Sequence, residues 1–282
     1  NILQFLKNHG QKGVDCIVKT KEDKTIAKDI DGTVYIVRDW QEGRECDTKS
    51  RDDILKAICQ LAEIHSILRE FPEEIPDYLQ IQDDTLLREN ERHAKELKKV
   101  RNFITSRKKK NDFEMEFLRS FDVFYKEAQK VIELQKRELE DSINITGESS
   151  IYGICHGDYN QHNVIFGKQG IAVLNFEKAS YDIQVSDLGN FMRKILEKHN
   201  WNMGLGMDML SAYHNVRKLN EQEMKQLYIR LAYPEKFWKI SNHYFNTSKA
   251  WVCGRNLEKL SKFICQNEAR ENFLHLIGNN MV

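Results

Sequence analysis

The sequence predicts an α+β protein with a small strand-containing part at its start and a larger, mostly helical part after it. Three observations support this class. Short apolar runs separated by turn residues make up much of residues 1–40. After residue 43, apolar residues recur at helical spacing almost everywhere except in residues 151–176. A chain of 282 residues is also long enough to divide into two lobes.

Residues 1–40 are predicted to form a small mixed α/β segment. A short helical run at residues 2–6 comes first, and strand-like runs follow at 16–18, 25–28 and 33–37. Asp31-Gly32 lies between the last two runs, and Asp-Gly between apolar runs is typical of a β-hairpin turn. We therefore expect a hairpin between these two runs.

Two apolar stripes identify long helices in the second part of the chain. Their residues follow one another at spacings of three and four, which places them on one face of a helix. The stripes are Ile54, Ile58, Leu61, His65 and Leu68, and Phe117, Phe121, Phe124, Ala128 and Val131. Further helices are predicted at 97–104, 186–197, 207–214, 221–231 and 255–276. The basic run 107–110 lies between two predicted helices, and we expect it to be a solvated loop without a role.

The charge balance and the cysteines argue against several classes of function. The 43 basic residues equal the 43 acidic ones, so composition indicates no nucleic-acid partner. No apolar run approaches the ~18 residues that span a bilayer, and no signal peptide is visible. We therefore expect a soluble, intracellular protein with no membrane partner. The six cysteines show no short Cys/His ligand spacing, which favours reduced thiols over a zinc site.

The strongest sign of chemistry lies in residues 151–188. The tripeptide His156-Gly157-Asp158 is followed, after four further residues, by Asn163. Two apolar runs, 164–166 and 171–174, come next and flank a glycine-containing turn. This order predicts a polar loop followed directly by a β-hairpin.

Phosphoryl transfer needs the kinds of side chain that this segment offers. It requires a carboxylate near the substrate hydroxyl and oxygen ligands for Mg²⁺. Asp158 can orient or deprotonate a hydroxyl, and Asn163 can offer its side-chain oxygen to the metal. A hairpin that returns to the loop would bring Asn175 and Glu177 as further oxygen ligands. Simpler interpretations stay open, since Asp158 and Asn163 can cap a turn and Asn175 can bond nearby backbone alone.

The loop residues resemble a known family. His156, Gly157, Asp158 and Asn163 match the H-G-D-x-x-x-x-N catalytic loop of aminoglycoside and choline kinase-like phosphotransferases. The surrounding pattern, which includes Tyr181-Asp182 and Asp187-Leu188, resembles the CotS family of spore coat proteins. The run 35–43 resembles that family's strand and lobe connector, and 61–65 resembles its next helix.

The resemblance implies a protein-kinase-like, two-lobed fold. Residues 1–40 would form a truncated small α/β lobe with the lobe connector, and residues 41–282 a mostly helical large lobe that contains the catalytic-loop segment 151–188. Because the sequence begins at Asn1 without a methionine, we expect the nucleotide lysine and the rest of the small lobe to lie upstream.

The resemblance also implies roles for the loop residues. Asp158 would be the catalytic base and Asn163 a metal ligand, while His156 and Gly157 would shape the loop. Position 175 matches the family aspartate that grips the metal bridging the nucleotide phosphates, and here it is Asn175. Loss of this carboxylate predicts weakened binding of Mg²⁺ and ATP. Glu177 could still reach the metal, since alternate residues of an extended segment point the same way.

Four further residues are candidates for the edges of the site. Tyr35 and Trp40, at the connector, are predicted to line an adenine pocket, although aromatic residues at a strand end are also common in cores. Asp182 and Asp187 are predicted on the substrate side, and Asp187 could equally cap a helix.

Two functions remain open at this stage. The first is a spore-coat-associated kinase homologue of the mother-cell cytoplasm and spore coat, with ATP and Mg²⁺ as weakly bound cofactors and coat proteins as partners. The second is an active ATP-dependent phosphotransferase that acts on the hydroxyl of a small molecule. Fold likeness alone does not decide between them.

Overall fold

The computed structural model describes residues 1–72, 74–81, 84–142, 151–246 and 253–279. The helices are α1 (Ile2–Asn8), α2 (Arg51–Arg69), α3 (Thr85–Ser106), α4 (Asp112–Ser142), α5 (Val185–Lys198), α6 (Met203–Val216), α7 (Glu221–Ala232), α8 (Glu235–Asn246), α9 (Cys253–Cys265) and α10 (Asn267–Asn279). The strands are β1 (Ile17–Val18), β2 (Ala27–Lys28), β3 (Val34–Tyr35), β4 (Val37–Arg38), β5 (Arg44–Glu45), β6 (Tyr152–Cys155), β7 (Val164–Gly167), β8 (Gly170–Val173) and β9 (Ser180–Ile183). Short 3-10 turns occur at Asp77–Leu79 and Phe176–Lys178.

The chain forms two compact units. Unit 1 comprises Asn1–Gln80, Tyr152–Phe191 and Met207–Leu219, and unit 2 comprises Ile81–Ile151, Met192–Gly206 and Asn220–Val282. All of the named strands lie in unit 1. These units group the residues differently from the lobes 1–40 and 41–282, whose boundary stays a prediction.

The start of unit 1 contains the predicted hairpin. β2 and β3 pair antiparallel, with Ala27 opposite Tyr35, and Gly32 turns between them with a φ of +84°. The run 33–37 was predicted as one strand and is in fact two, because β3 pairs with β2 while β4 pairs with β1. The prediction of a single strand here was wrong, since one apolar run serves two different partners.

Two further sheets of unit 1 frame the polar loop. β5, β7 and β8 form an antiparallel sheet that confirms the predicted hairpin, with Val164 opposite Val173. β6 and β9 pair antiparallel, with Cys155 opposite Ser180. The β6–β7 loop therefore starts where the β8–β9 connection ends, at the paired ends of β6 and β9. It ends where that connection starts, at the paired ends of β7 and β8. This topology brings residues 156–163 beside residues 174–179.

Helix α2 packs its predicted stripe into unit 1. Ser50 caps its N-terminus by accepting a hydrogen bond from the backbone N–H of Asp53. Ile54, Ile58, Leu61, His65 and Leu68 are all buried, as the spacing predicted. The chain thus places one histidine of this stripe, His65, inside the core.

Unit 2 is a helical unit with an aromatic core. The predicted stripe on α4 is buried, and Phe117 stacks on Phe237 of α8 with ring centroids 5.2 Å apart. The buried residues of this cluster are Leu97, Ile104, Phe113, Phe117, Phe121, Phe124, Phe237, Ile240, Leu260 and Phe263. Helix α8 was not predicted as a helix.

The connection between α9 and α10 in unit 2 differs from the prediction. The run 255–276 was predicted as one helix, but α9 ends at Cys265 and α10 begins at Asn267. Between them, Gln266 is buried and its side-chain amide donates to the backbone carbonyl of Glu197 at 3.0 Å. This tertiary hydrogen bond is made where the helix breaks.

The basic run 107–110 has more structure than predicted. Arg107 forms an ion pair with Glu114, whose side chain is buried in the first turn of α4. Glu114 also accepts from the backbone N–H of Asn111, and Asn111 accepts from the backbone N–H of Glu114, each at 3.0 Å. This reciprocal pair is a capping box, so the run helps to start α4.

Two findings on the described residues concern membrane-spanning helices and disulfides. No helix there combines the length and apolar character needed to cross a membrane. Among these residues, Cys16, Cys46, Cys59, Cys155 and Cys265 take part in no disulfide.

Candidate functional site

Asp187 holds the start of the polar loop through hydrogen bonds to its backbone. Its carboxylate accepts hydrogen bonds from the backbone N–H of His156 at 2.6 Å and from that of Gly157 at 3.0 Å. A third bond comes from the Nε2 atom of His65 at 3.2 Å. Asp187 lies in the first turn of α5 and is only 2% exposed. Its burial contradicts the prediction that it lies on the substrate side, because a substrate cannot reach the carboxylate.

The His65–Asp187 pair is a neutral histidine beside a charged carboxylate. Burial lowers the pKa of His65 below its ordinary value. Burial acts to raise the pKa of Asp187, but the hydrogen bonds that its carboxylate accepts from His65 and from the His156 N–H hold the pKa below its ordinary value. The Nδ1 atom of His65 lies 2.7 Å from the Tyr213 hydroxyl, which donates to it. His65 therefore orients the anchor rather than carrying charge.

Gly157 is required by backbone geometry. Its φ is +77°, in the left-handed region that L side chains rarely adopt. A Cβ atom at this position would lie 1.9 Å from the backbone oxygen of Lys178. The backbone of the loop lies directly against the backbone of the β8–β9 connection here, so position 157 admits only glycine without strain.

His156 is a buried link between the loop and the hairpin. Its Nε2 atom donates to the backbone carbonyl of Leu174 at 2.8 Å, and its Nδ1 atom accepts from the backbone N–H of Asp158 at 3.1 Å. The ring also contacts Phe176, with centroids 4.4 Å apart. Both ring nitrogens are thus used in hydrogen bonds within the protein, one to the backbone of Asp158 and one to the end of the hairpin.

Asp158 is the accessible carboxylate of the loop. Its side chain is 34% exposed and forms an ion pair with Lys178, with Oδ2 and Nζ 2.9 Å apart. Its other oxygen accepts from the side-chain amide of Asn160 at 3.1 Å. A hydroxyl approaching Asp158 would therefore meet a carboxylate that is already paired with a cation.

Asn163 and Asn175 bind each other. The side-chain amide of Asn163 donates to the backbone carbonyl of Asp158 at 2.9 Å, and its Oδ1 atom accepts from the Nδ2 atom of Asn175 at 2.8 Å. Asn175 has a φ of +67°, a conformation that asparagine tolerates better than most residues. Two of the three predicted metal ligands are brought together, and one donates to the other.

An ion cluster that was not predicted stands beside Asn175. Asp15 is buried, and its carboxylate oxygens lie 3.2 and 3.3 Å from the backbone N–H of Asn175, which donates to them. The Nη1 atom of Arg38 lies 3.0 Å from Oδ2 of Asp15 and 2.7 Å from Oε1 of Glu177. The hydrogen bond to Asp15 is the main reason that the pKa of Arg38 is raised. Glu177 is thus bound to a cation of its own chain.

The side-chain oxygens of this site are poorly arranged to bind a Mg²⁺ ion. Magnesium in nucleotide sites is usually held by one or two carboxylates together with phosphate oxygens. Here the carboxylates of Asp158, Asp15 and Glu177 are each paired with Lys178 or Arg38. The oxygen of Asn163 already accepts a hydrogen bond from the side-chain amide of Asn175. In the described part of the chain, no group of three or more acidic, histidine or cysteine side chains is arranged to hold a metal.

The remaining candidates lie at the surface or on strands. Trp40 is 90% exposed, and Tyr35 is also exposed, so the alternative that these rings pack in the core was wrong. Asp182 lies on β9 opposite Gly153 and is half-buried. Adenine binding by Tyr35 and Trp40, and substrate contact by Asp182, stay predictions.

Sequence reasoning missed four residues that shape the site, namely Asp15, Arg38, His65 as the partner of Asp187, and Lys178. None belongs to the loop motif. Asp15 and Asn175 are 160 positions apart, and His65 and Asp187 are 122 apart. The one available signal was His65 itself, a polar residue in an otherwise apolar stripe.

Comparison with known proteins gives a family match over most of the chain. Residues 1–277 match the model of the family described as “Spore coat putative kinase YutH”. The chain belongs to this family. The resemblance inferred from the loop motif is thereby confirmed, and membership of the YutH family extends it over nearly the whole chain.

A curated relative points the same way. “Spore coat protein S” of Bacillus subtilis (strain 168) is 26% identical to this YutH-family chain over 159 residues. The match covers 54% of this chain and 45% of that protein, so the chain spans less than half of its relative's length.

Solved structures show the fold. An aminoglycoside phosphotransferase from Alicyclobacillus acidocaldarius has a TM-score of 0.80 and 18% identity, covering 99% of this chain and 82% of its own. The amicoumacin kinase hAmiN, solved with AMP-PNP, Ca²⁺ and Ami, has a TM-score of 0.55 and 13% identity, covering 96% and 75%. The predicted α+β, kinase-like fold of this YutH-family protein is confirmed.

Proposed function

We propose that this YutH-family protein acts at the spore coat as a kinase homologue that binds nucleotide phosphates at the Asp158 site but transfers phosphate poorly. Family membership supports the coat assignment, and coat proteins would be its partners. The kinase-like fold and the solved neighbour with AMP-PNP support a nucleotide as the ligand. ATP is the expected nucleotide.

One observation carries the proposal of poor transfer, namely the bond between Asn163 and Asn175. An asparagine side chain is neutral and offers a single oxygen, so a metal gains less from it than from a carboxylate. The Asn163 oxygen already accepts from the Nδ2 atom of Asn175, so a metal would compete with that N–H for its electron density. Both sequence and geometry therefore weaken metal binding at the position that matters most for phosphoryl transfer.

The loop itself retains the parts that a working site requires. Asp158 is reachable from solvent, its backbone is held by His156, and its carboxylate accepts a hydrogen bond from the side-chain amide of Asn160. Asp187 fixes the backbone of His156 and Gly157. This rigid support favours a second candidate, an active phosphotransferase in which Asp158 accepts the proton of a small-molecule hydroxyl.

Assays of ATP binding and turnover with Mg²⁺ test the proposal. We expect the native protein to bind ATP and turn it over slowly, and Asn175→Asp to raise turnover because it restores the missing carboxylate. A matched control is Asn200→Asp, since Asn200 is also an asparagine with a positive φ and lies outside the loop and the β8–β9 connection.

Two outcomes would contradict the proposal in different ways. Brisk native turnover that Asp158→Asn lowers by about 10² to 10⁴ would establish the active phosphotransferase instead. No ATP binding by the native protein would remove the nucleotide site altogether.

A further inference from the structure

We propose that Arg38 takes the place of the divalent metal in this site, so that nucleotide phosphate binds directly to its guanidinium without Mg²⁺. This inference rests on the proposed nucleotide site and specifies its chemistry. It assigns a ligand-binding role to a residue outside the catalytic-loop motif.

The position of Arg38 is the first argument. One nitrogen, Nη1, lies within hydrogen-bond distance of both the Asp15 and the Glu177 carboxylates. A metal ion held by these two carboxylates would have to displace that nitrogen and break both ion pairs. The chain therefore already supplies a cation between the two carboxylates that lie beside Asn175.

The donor pattern of Arg38 is the second argument. A guanidinium carries five N–H donors in a planar fork that matches the oxygens of a phosphate. Both ion pairs use Nη1, and within the residues that the structure describes, Nη2 and Nε have no hydrogen-bond partner. The side chain is 28% exposed, so a ligand can reach these donors.

Arg38 is also fixed relative to the loop connection. Its partner Asp15 is buried and simultaneously accepts from the backbone N–H of Asn175. The guanidinium is thereby held next to the turn at residue 175 rather than free on a flexible stem. Such prior ordering reduces the entropy that binding would otherwise cost.

The charges decide which group gives way to a phosphate. Three carboxylates, on Asp15, Asp158 and Glu177, stand against two cations, Arg38 and Lys178. Glu177 is 51% exposed, whereas Asp15 is buried, so Glu177 can turn into solvent at little cost. Once it does, the two cations balance the remaining carboxylates and a phosphate can bind without meeting net negative charge.

Replacement of Glu177 by phosphate at Arg38 predicts that a substitution in the site raises, rather than lowers, the affinity for nucleotide. If Glu177 competes with phosphate for Arg38, Glu177→Gln should tighten nucleotide binding in a metal-free buffer. If Glu177 is instead a metal ligand that compensates for Asn175, the same variant should weaken binding in the presence of Mg²⁺. The two mechanisms are therefore separated by one substitution.

Isothermal titration of the full chain with ADP, in EDTA and in Mg²⁺, is the experiment. We expect similar affinity in the two buffers and tighter binding by Glu177→Gln. Arg38→Met should weaken binding about ten- to a hundredfold, which is the usual effect of losing charged hydrogen bonds. The control is Arg51→Met, because Arg51 pairs with Asp208 in the same unit and outside the site.

Titration of the native chain in the two buffers requires no substitution, so the inference stays testable even if Arg38→Met fails to fold. Binding that is lost in EDTA, or weakened by Glu177→Gln, would overturn the role of Arg38 while leaving the nucleotide site intact. Unchanged binding by a folded Arg38→Met protein would do the same. Failure to bind ADP in either buffer would instead overturn the proposed function itself.

Discussion

Replacing Gly157 with alanine tests whether the catalytic loop depends on close backbone contact. Two costs add at this position. The left-handed conformation, with φ at +77°, costs a residue with a Cβ atom about 1–2 kcal/mol. The new methyl group would also lie 1.9 Å from the backbone oxygen of Lys178. Because backbone must move to relieve this contact, a further cost of about 1–3 kcal/mol is expected.

Gly32→Ala is the matched control. Gly32 has a similar φ, +84°, but a Cβ atom there would meet nothing within 4 Å. It should therefore show only the conformational cost. The difference between the two variants isolates the contact with Lys178.

Thermal unfolding followed by circular dichroism measures both variants. With a midpoint shift of about 2–4 °C per kcal/mol, Gly157→Ala should lower the midpoint by about 4–20 °C and Gly32→Ala by about 2–8 °C. Equal shifts for the two variants would refute the reasoning, since the Lys178 contact would then cost nothing. A larger loss for Gly32→Ala would refute it as well.

Two further predictions concern buried groups. Asp187→Asn should lower the free energy of unfolding by about 3 kcal/mol, because an amide offers one acceptor oxygen to three N–H donors. The control Asp208→Asn, at an exposed ion pair, should cost under about 1 kcal/mol. Equal free energies of urea unfolding for the two variants would contradict this reasoning. Burial is the main reason that the pKa of His93 is lowered to about 4 in the folded chain. In the unfolded chain His93 binds a proton at about pH 6.5, so the unfolded chain is protonated first as pH falls. Stability should therefore fall as pH decreases through this window, and His93→Phe, which keeps a ring on Trp238, should lose part of that slope; parallel stability–pH curves would contradict the assignment.

Local patterns in the sequence predicted much of the fold correctly. The stripes on α2 and α4, the β7–β8 hairpin and the loop from His156 to Asn163 all depend on residues close together in the chain. Hydrophobic period and turn residues express such short-range preferences directly. The prediction failed where a local pattern had two tertiary outcomes, as in the run 33–37, which divides between two partner strands.

Asp187 shows why the site was only partly predictable. From the sequence it was a candidate for the substrate side or for a helix cap. Its role as the anchor of the loop depends on α2 bringing His65 against it, across 122 positions of the chain. No spacing rule reports a contact of this range.

The sequence by itself determined which chemical groups the loop carries, because the identities of Asp158, Asn163 and Asn175 are fixed whatever the packing. Only the tertiary structure decided how those groups are satisfied. It placed Asp15 and Arg38 beside the 175–177 turn and Lys178 against Asp158. The physical reason is that a carboxylate's behaviour depends on the nearest cation in space, and that cation is chosen by the packing of distant segments.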